Sequence, residues 1–479
     1  MAHVLTFDLG TSATKAALWS DAELVALARS PVATTHPEPG RAEQDPLDWW
    51  RSVVDSCAQV RAASPARFVE VTAIGFSATR ETFTLLDDDL RPIGPGVLWS
   101  DQRAGAEAAE LGDPSAFRAA TGVVGNGASH AAKVLWVARH RADDLDAARW
   151  VAAPRDAVIA WLTGELVTDV TLASRTGWFE LAGGWTADAE ERLGRRLPRV
   201  LASTEIVGAL RADPAGALGL SVGTVVVAGA GDRQCEALGV GATSRTPMVS
   251  WGTTTNVSAP HPGPVDELPT VAAVSRSAQA EPFLVEAGLS ASGAALEWLA
   301  TLTGRDRDDL LDLGAEIEPG SRGVIALPWL HGARGPWWAP ETHAAFLGLT
   351  AAHGPAELAR ATVEAVALDV ARCIDLLDLD VDGLALAGAG AAGELWRTVL
   401  AATTARPWIR RRHDDAASVG ARLIVAAALG ERIELDAINP IVASCDPDHE
   451  LVEAYRLVRA HSDAAAVAVL STPPTRQPK

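Results

Sequence analysis

Short apolar runs separated by glycine-containing turns open the chain, and their pattern predicts strands. Residues 3–8 read HVLTFD, and the stretches LGTSATKAALW and ELVALARSPVAT follow them. Runs of this kind, joined by tight turns, are typical of neighbouring strands. We therefore predict that the chain begins with an antiparallel meander of three strands.

A helix is predicted directly after the meander. Asp45 stands at an N-cap position, Pro46 follows at the first helical position, and apolar residues then recur at helical spacing through DPLDWWRSVVDSCAQVRAAS. The strand-like runs VEVTAIGFSA and TFTLLD come next, and helical patterns predominate from DQRAGAEAAEL to DAVIAWLTG. The first half of the chain is thus predicted to be α/β.

The same pattern starts again near residue 245. The stretch TPMVSWGTTTNVSAP repeats the strand, Gly-Thr turn and strand of the N-terminus. Helical patterns at 293–303 and 356–378, the strand GLALAGAG, and helices near 392–404 and 415–429 complete a second α/β half. We predict two α/β domains of similar plan, spanning residues 1–244 and 245–479, with a cleft between them.

Length, charge and cysteine spacing exclude several classes of protein. The 479 residues have room for two or three domains. The formal net charge of −20 argues against a nucleic-acid partner, because phosphate backbones are bound by clustered Lys and Arg. The four cysteines are too far apart for a disulfide framework or a zinc site, and neither a leader peptide nor a membrane span is evident. We expect a soluble cytoplasmic protein that contacts no membrane.

Two glycine-rich turns occupy equivalent places in the two halves. In the first, Asp8 ends a strand and is followed by Gly10, Thr11 and Ser12, and the second turn spans residues 251–255. A carboxylate suits a hard cation, and backbone N–H groups with hydroxyls suit phosphate oxygens. The alternatives are an Asx-type turn for the first and an ordinary edge strand for the threonines of the second. As a facing pair, the turns predict a polyphosphate held from both sides of a cleft.

A third turn, residues 388–393, matches G-x-G-x-x-G after the strand GLALA and before a helix. Asp414 lies roughly twenty residues further on, so a dinucleotide-binding fingerprint is one interpretation and an NAD-linked oxidoreductase its consequence. Too little chain follows for the second half of a dinucleotide fold. A contact with an adenine nucleotide is the interpretation that we favour.

One acid stands among glycines in the stretch VAGAGDRQCEALGVG, at position 232. The glycines allow the backbone to approach a substrate closely. From the residues alone, Asp232 is expected to stabilise the start of the helix predicted for RQCEALG.

In order along the chain, FDLGTSATKAALW, GAGDRQCEALGVG, SWGTTTNVS and LALAGAGAAGELWRTVLAATTARP resemble the first phosphate, catalytic-acid, second phosphate and adenosine motifs of the FGGY carbohydrate kinases. The resemblance covers almost the whole chain. It implies two ribonuclease-H-like domains of the actin type, which close over ATP and a small-molecule sugar or polyol. Members often form dimers, so the resemblance also implies a homodimer.

The resemblance assigns roles residue by residue. Asp232 would be the general base, and Asp8 would position Mg²⁺. Contacts with ATP are implied for Gly10, Thr11, Ser12, Gly252, Thr253, Gly293, Gly390 and Ala391. Of the lysines, we expect Lys15 at a plain exposed position and Lys133 in a structural role.

The residues expected to bind the phosphoryl acceptor are compatible with several substrates. Arg80 and Glu81 resemble the Arg-Glu pair of glycerol kinases. Trp99, Asp101 and Arg103 keep the W-x-D-x-R pattern of the family. Asp101 and Arg103 would either reach the sugar or hold their loop. Asp232 and Arg233 complete the expected substrate contacts, and Arg233 admits an anionic sugar acid. The only tyrosine is Tyr455, so the aromatic wall of the glycerol kinases is missing. The tryptophans of loop 328–341 would form either a stacking face or part of the core.

A kinase of a ketopentose such as D-xylulose is the main hypothesis. Glycerol, erythritol and gluconate are the alternative acceptors. From other classes of protein, an actin-like ATP-sensing protein and the NAD-linked oxidoreductase stay open at this point.

Overall fold

The computed structural model describes residues 3–263, 272–388, 390 and 393–471. The strands of the first half are β1 (His3–Leu9), β2 (Ala13–Ser20), β3 (Glu23–Pro31), β4 (Glu43–Gln44), β5 (Val71–Ala78), β6 (Phe83–Leu86), β7 (Pro92–Val97), β8 (Trp150–Ala152), β9 (Val167–Asp169), β10 (Arg199–Leu201), β11 (Ile206–Ala209), β12 (Val225–Val227) and β13 (Ala230–Gly231). Its helices are α1 (Pro46–Ala63), α2 (Pro65–Phe68), α3 (Pro114–Thr121), α4 (His130–His140), α5 (Ala142–Ala147), α6 (Pro154–Thr163), α7 (Val170–Ala173), α8 (Ala187–Arg192), α9 (Ala212–Leu218) and α10 (Asp232–Val240).

The second half continues the numbering. Its strands are β14 (Met248–Trp251), β15 (Thr255–His261), β16 (Ala273–Arg276), β17 (Phe283–Leu289), β18 (Ile325–Leu327), β19 (Ala345–Leu347), β20 (Leu384–Ala387), β21 (Trp408–Arg411) and β22 (Ile441–Cys445). Its helices are α11 (Gly293–Thr303), α12 (Arg307–Ala315), α13 (Pro355–Leu376), α14 (Glu394–Thr404), α15 (Ala416–Ala428), α16 (Leu435–Ile438) and α17 (His449–Leu470).

The two halves repeat one topology, as the sequence predicts. In the first, β1 pairs antiparallel with β2, which pairs antiparallel with β3, while β5 and then β12 continue the sheet in parallel. In the second, β14 pairs antiparallel with β15, which pairs antiparallel with β17, while β20 and then β21 continue in parallel. This order places the turns that follow β1 and β14 at equivalent corners of the two sheets.

Several local predictions are confirmed, and helices predominate between residues 101 and 164 as predicted, with two exceptions. The opening meander is present, and Asp45 caps α1 by accepting from the backbone N–H of Leu47. Residues 101–106 are not helical, and the short strand β8 interrupts the helical region predicted up to residue 164. β8 pairs with β6 in a second small sheet, so a tertiary pairing overrides the local helical pattern there.

α10 and α15 cross the boundary between the halves. α10 belongs to the first half but packs beside Met248 and Ala385 of the second sheet, whereas α15 belongs to the second half and packs on the first sheet. Gly239 and Gly420 let the two helices touch, since a Cβ at Gly239 would lie 1.9 Å from the carbonyl oxygen of Ala416. The division into domains at residues 1–244 and 245–479 therefore stays a prediction, because one helix of each half packs on the sheet of the other half.

Each sheet has its own apolar core. One cluster includes Phe7, Ile74 and Phe76 of the first sheet, and the other includes Val249, Val285 and Leu386 of the second. Burial of both faces explains why these strands are continuous apolar runs rather than alternating ones. Among the described residues, no helix combines the length and apolarity needed to span a bilayer.

Candidate active site

Asp232 is the first residue of α10 and stands at the cleft between the two sheets. β13 leads directly into the helix, and Gly231 is the N-cap. The Asp232 side chain is 40% exposed, and its Oδ1 lies 3.1 Å from Nε of Arg80 and accepts the Arg233 backbone N–H at 2.7 Å. An acid in the first turn stabilises a helix, and this acid also presents a solvent-accessible carboxylate. The two roles proposed from the sequence are compatible.

Arg80 connects the two halves of the molecule. It follows β5, and its two terminal nitrogens donate to the Glu286 carboxylate on β17 at 2.6 and 3.0 Å. Burial would raise the pKa of Glu286, but the charge and hydrogen bonds of Arg80 lower the pKa to about 2. Sequence reasoning missed Glu286, although a single acid in the apolar strand FLVEAGL is a signal that it has a buried partner.

Glu81 is held in an unusual backbone conformation. Its φ is +62°, in the left-handed region that non-glycine residues rarely occupy. Its carboxylate is paired with Arg175, whose Nε donates at 2.8 Å, and this charge lowers the pKa of Glu81 against the effect of burial. Buried Lys133 donates to the carbonyl oxygens of Glu81 at 3.0 Å and Leu98 at 2.6 Å, which confirms the structural role predicted for that lysine.

Arg233 ties the first turn of α10 to the second sheet. Its Nη1 donates to Glu236 at 2.7 Å and to the hydroxyl of Ser250, the residue before Trp251, at 2.9 Å. The Glu236 carboxylate outweighs burial and raises the pKa of Arg233. Arg233 therefore places Asp232 beside the second glycine-rich turn.

Arg334 is a cation of the cleft that sequence reasoning did not identify. The N–H of Gly335 donates to the carbonyl oxygen of Gly288 at 3.0 Å, which docks this loop on β17 two residues after Glu286. A Cβ at Gly288 would lie 4.0 Å from Nη2 of Arg334. Within the described residues the Arg334 guanidinium has no ion pair or hydrogen bond, and it is exposed.

The tryptophans of the same loop belong mainly to the core. Trp329 is buried against Trp337, with ring centroids 6.1 Å apart. The indole N–H of Trp337 donates to Asp369 at 3.0 Å. For these two residues the core alternative is correct, and a stacking face at the cleft is not formed by them.

The W-x-D-x-R loop divides into one exposed and two buried side chains. The indole N–H of Trp99 donates to the hydroxyl of Thr11 at 2.9 Å, beside the first glycine-rich turn. Asp101 is buried and accepts Nε of Arg103 at 2.8 Å and the Ala42 N–H at 2.7 Å. Burial opposes these bonds, yet they hold the pKa of Asp101 below its usual range. Of the two roles that the sequence left open for Asp101 and Arg103, these contacts support the one in which they hold their loop, and their contact with the substrate stays a prediction.

Asp8 lies at the end of β1, close to both α10 and α15. Ser77 donates to its Oδ1 at 2.8 Å, and Nζ of Lys15 lies 3.4 Å from Oδ2 and 2.8 Å from Asp415. Lys15 is thus not at a plain exposed position, because two carboxylates hold it. Burial raises the pKa of Asp8 to about 6, and the nearby charges of Asp415 and Asp232 act in the same direction.

The donor set around Asp8 fits Mg²⁺ only together with a phosphate ligand. Among the described residues, no group of three or more His, Cys, Asp or Glu side chains is placed to hold a metal ion. Mg²⁺ commonly uses one or two carboxylates with substrate phosphates and water. Asp8 supplies one carboxylate, so phosphate and water oxygens would have to supply the other ligands of a Mg²⁺ ion held here.

The second and third glycine-rich turns pack on each other. Gly252 and Thr253 are exposed, and their carbonyl oxygens accept the first N–H groups of α11, including that of Gly293 at 3.1 Å. A Cβ at Gly293 would lie 2.6 Å from the Gly252 carbonyl oxygen, and one at Gly390 would lie 2.9 Å from the ring of Trp251. These glycines therefore bring the turns into contact. Ala391, expected at the adenosine, lies outside the described residues.

A pocket of about 510 Å³, separate from the cleft between the two halves, opens beside the third turn. Its walls are α12 and the start of α14, including Gly393, Glu394 and Thr398.

The first turn is partly accessible. Gly10 is half-buried, and Ser12 is exposed and its hydroxyl accepts from Arg29 at 3.2 Å. Ser12 in the first turn and Gly252 and Thr253 in the second are thus exposed residues, one turn from each half.

Comparison with known proteins gives one consistent picture. Models of the N-terminal and C-terminal domains of the FGGY family of carbohydrate kinases match residues 3–239 and 248–429. The xylulose kinase of Escherichia coli (strain K12) is 32% identical over 468 residues, which covers 94% of this chain and 95% of that protein. A glycerol kinase of Polaromonas naphthalenivorans is 30% identical over 423 residues, with 82% of each chain covered. Both enzymes therefore match over most of their length.

Solved structures agree with this result. The xylulose kinase from Rhodospirillum rubrum superimposes with a TM-score of 0.89 at 26% identity, covering 97% of this chain and 98% of that one. The two-domain α/β fold expected from the sequence is confirmed.

Proposed function

Because the chain belongs to the FGGY family of carbohydrate kinases and is a sugar phosphotransferase that uses ATP, we propose that its acceptor is a ketopentose such as D-xylulose and its base Asp232. The observation that carries this proposal is the accessible Asp232 carboxylate, placed between a glycine-rich turn of each half and beside Arg80. The xylulose kinase of Escherichia coli, which matches 94% of this chain, supports the choice of acceptor.

Phosphoryl transfer to an alcohol requires positioning, charge stabilisation and one proton acceptor. The hydroxyl of the acceptor attacks the γ-phosphorus of ATP, the bond from that phosphorus to the bridging oxygen breaks to release ADP, and the hydroxyl proton passes to a carboxylate oxygen of Asp232. Arg80 holds Oδ1 from one side at 3.1 Å, which leaves the other oxygen for the substrate. Closure of the cleft excludes water, so that ATP is not hydrolysed in place of transfer.

The ATP phosphates lie between the first and second turns in this proposal. Gly10, Thr11 and Ser12 would contact them from the first half, and Gly252 and Thr253 from the second. Asp8 would hold Mg²⁺, which neutralises charge on the phosphates when bound. Adenosine would lie beside Gly390, where the pocket next to α14 opens. Gly293 supports the second turn by allowing α11 to touch it.

Substrate choice rests on Arg80, Glu81, Trp99 and Arg334 around Asp232. The Arg-Glu pair favours a polyol such as glycerol or erythritol, but Tyr455 is buried in the second half beside Arg360 and supplies no aromatic wall. The Arg334 guanidinium, which has no ion pair or hydrogen bond within the described residues, favours gluconate as the second candidate, because guanidinium groups bind carboxylates well. D-xylulose stays the first proposal on the strength of the sequence match.

The test is a coupled assay of ADP release with D-xylulose, D-ribulose, L-ribulose, glycerol, erythritol and gluconate as acceptors. A kcat/KM for D-xylulose well above those of the other acceptors is expected. Preference for glycerol or gluconate would replace the acceptor while leaving the kinase assignment in place. ADP release that no acceptor stimulates would favour the actin-like ATP-sensing protein instead.

Replacing Arg334 with Gln is expected to raise the KM for the acceptor about 10-fold and to leave the KM for ATP unchanged. The physical reason is the loss of a charge-assisted hydrogen bond, which corresponds to about 1.5–3 kcal/mol. Steady-state kinetics with each substrate varied in turn measure both constants. A larger rise with gluconate than with D-xylulose would mark Arg334 as a carboxylate site.

Arg322→Gln is the matched control for this variant. Arg322 is exposed and paired with Glu357, outside the cleft. Neither KM should change in the control. Equal changes in both variants, or a rise in the KM for ATP alone, would contradict a role for Arg334 in acceptor binding.

A further inference from the structure

A buried hydrogen-bond network lies behind the start of α10. Its centre is Asp169, the fully buried N-cap of α7. The Asp169 carboxylate accepts Nη1 of Arg155 at 2.7 Å and the hydroxyl of Ser203 at 2.7 Å. It also accepts the hydroxyl of Thr171 at 2.7 Å and the Thr171 N–H at 3.0 Å. A carboxylate with this many donors has a fixed position.

Thr171 connects the fixed Asp169 carboxylate to the backbone that precedes Asp232. Its hydroxyl donates to Asp169 and accepts the N–H of Gly231 at 2.9 Å. Thr171 is fully buried, so water cannot replace either bond. The hydroxyl is therefore a rigid link between Asp169 and the residue that precedes the proposed base.

The backbone at Gly231 determines where Asp232 points. Gly231 pairs with Ala78 at the end of β5, and a Cβ at Gly231 would lie 2.8 Å from Cδ of Arg80. The peptide is thus confined between the strand, Arg80 and Thr171. A shift of this peptide would move Asp232 relative to Arg80, with which it forms its ion pair.

We propose that Thr171, held by Asp169 and Arg155, is a positioning residue for phosphoryl transfer. It fixes the Gly231 peptide and so the direction of the Asp232 carboxylate, without touching either substrate. This inference rests on the proposed role of Asp232 as the base. A displacement of about 1 Å at a reacting group can cost on the order of 10²-fold in rate.

The test compares Thr171→Val, which keeps the shape and removes the hydroxyl, with Thr171→Ser, which keeps the hydroxyl. Thr171→Val should lower kcat by about 10- to 50-fold and leave the KM for ATP within twofold of the wild type. Thr171→Ser should restore kcat to within about threefold of the wild type. Should Thr171→Val not fold, Thr171→Cys must show an intermediate kcat, because a thiol is a weaker hydrogen-bonding group.

Ser203→Ala is the matched control, since Ser203 donates to the same carboxylate at the same 2.7 Å but has no bond to Gly231. It should lower the melting temperature as Thr171→Val does and leave kcat unchanged. Equal loss of kcat in both variants, or a Thr171→Val enzyme that loses only stability, would overturn the proposal. Asp232→Asn distinguishes a failure of this inference from a failure of the proposed function, because full activity in that variant would exclude Asp232 as the base whatever Thr171→Val shows.

Discussion

Asp232→Asn should reduce kcat by about 10³-fold or more while leaving the KM for ATP nearly unchanged. General-base groups contribute about 10²- to 10⁴-fold in rate, and an amide cannot accept the proton of the acceptor hydroxyl. The side chain is 40% exposed, so the change leaves no buried group without a partner, and the fold should be retained. Steady-state kinetics and the melting temperature, measured on the same preparation, test both statements.

The control for this variant is Asp213→Asn. Asp213 is likewise an exposed acid in the first turn of a helix, α9, and lies away from the cleft. Both variants lose a favourable interaction with a helix N-terminus, so they should lose similar stability. Only Asp232→Asn should lose activity. Retention of more than about a tenth of wild-type kcat in Asp232→Asn would exclude the carboxylate as the base.

Glu286→Gln should lower kcat/KM for the acceptor by about 10²-fold and destabilise the protein by about 3 kcal/mol at pH 7. Glu286 is buried and binds both terminal nitrogens of Arg80, so its replacement leaves the Arg80 charge with Asp232 as its remaining ion-pair partner among the described residues. Arg80 would then pair more closely with Asp232, which would become a poorer proton acceptor. Denaturant unfolding and acceptor kinetics measure the two effects.

The pH dependence of this variant follows from the pKa of Glu286. In the folded protein the pKa is about 2, against an ordinary value of 4.5. A lowered pKa stabilises the fold at any pH above the ordinary value, and the stabilisation disappears as pH falls towards the folded value. The difference in unfolding free energy between wild type and Glu286→Gln should therefore be constant above about pH 5 and shrink between pH 4.5 and 2. A difference that does not change over that range would contradict the assignment.

Glu364→Gln is the matched control for Glu286→Gln. Glu364 is also a buried acid that pairs with an arginine, Arg360, but both residues lie on α13 within the second half. This variant should be destabilised to a similar degree and keep its kinetic constants. If it lost acceptor kcat/KM as well, the effect of Glu286→Gln would reflect general destabilisation and not the link across the cleft.

The sequence determined much of the local structure and the family. Asp45 with Pro46 predicts the start of α1, and the two Gly-Thr turns predict equivalent corners because each turn is specified by adjacent residues. The kinase family was also readable, since its motifs are short segments in a fixed order. The NAD-linked interpretation of residues 388–393 is set aside because the chain belongs to that family.

Tertiary structure alone decided which side chains meet. Arg80 and Glu286 are 206 positions apart, and Lys15 and Asp415 are 400 apart. No local pattern marks such pairs, because their contact depends on how the two sheets pack. For the same reason the sequence could not identify Arg334 and Thr171, and it left open whether Asp101 reaches the sugar or holds its loop. Local chemistry fixes turns and caps within a few residues, whereas burial and charge pairing across a cleft exist only once the whole chain has folded.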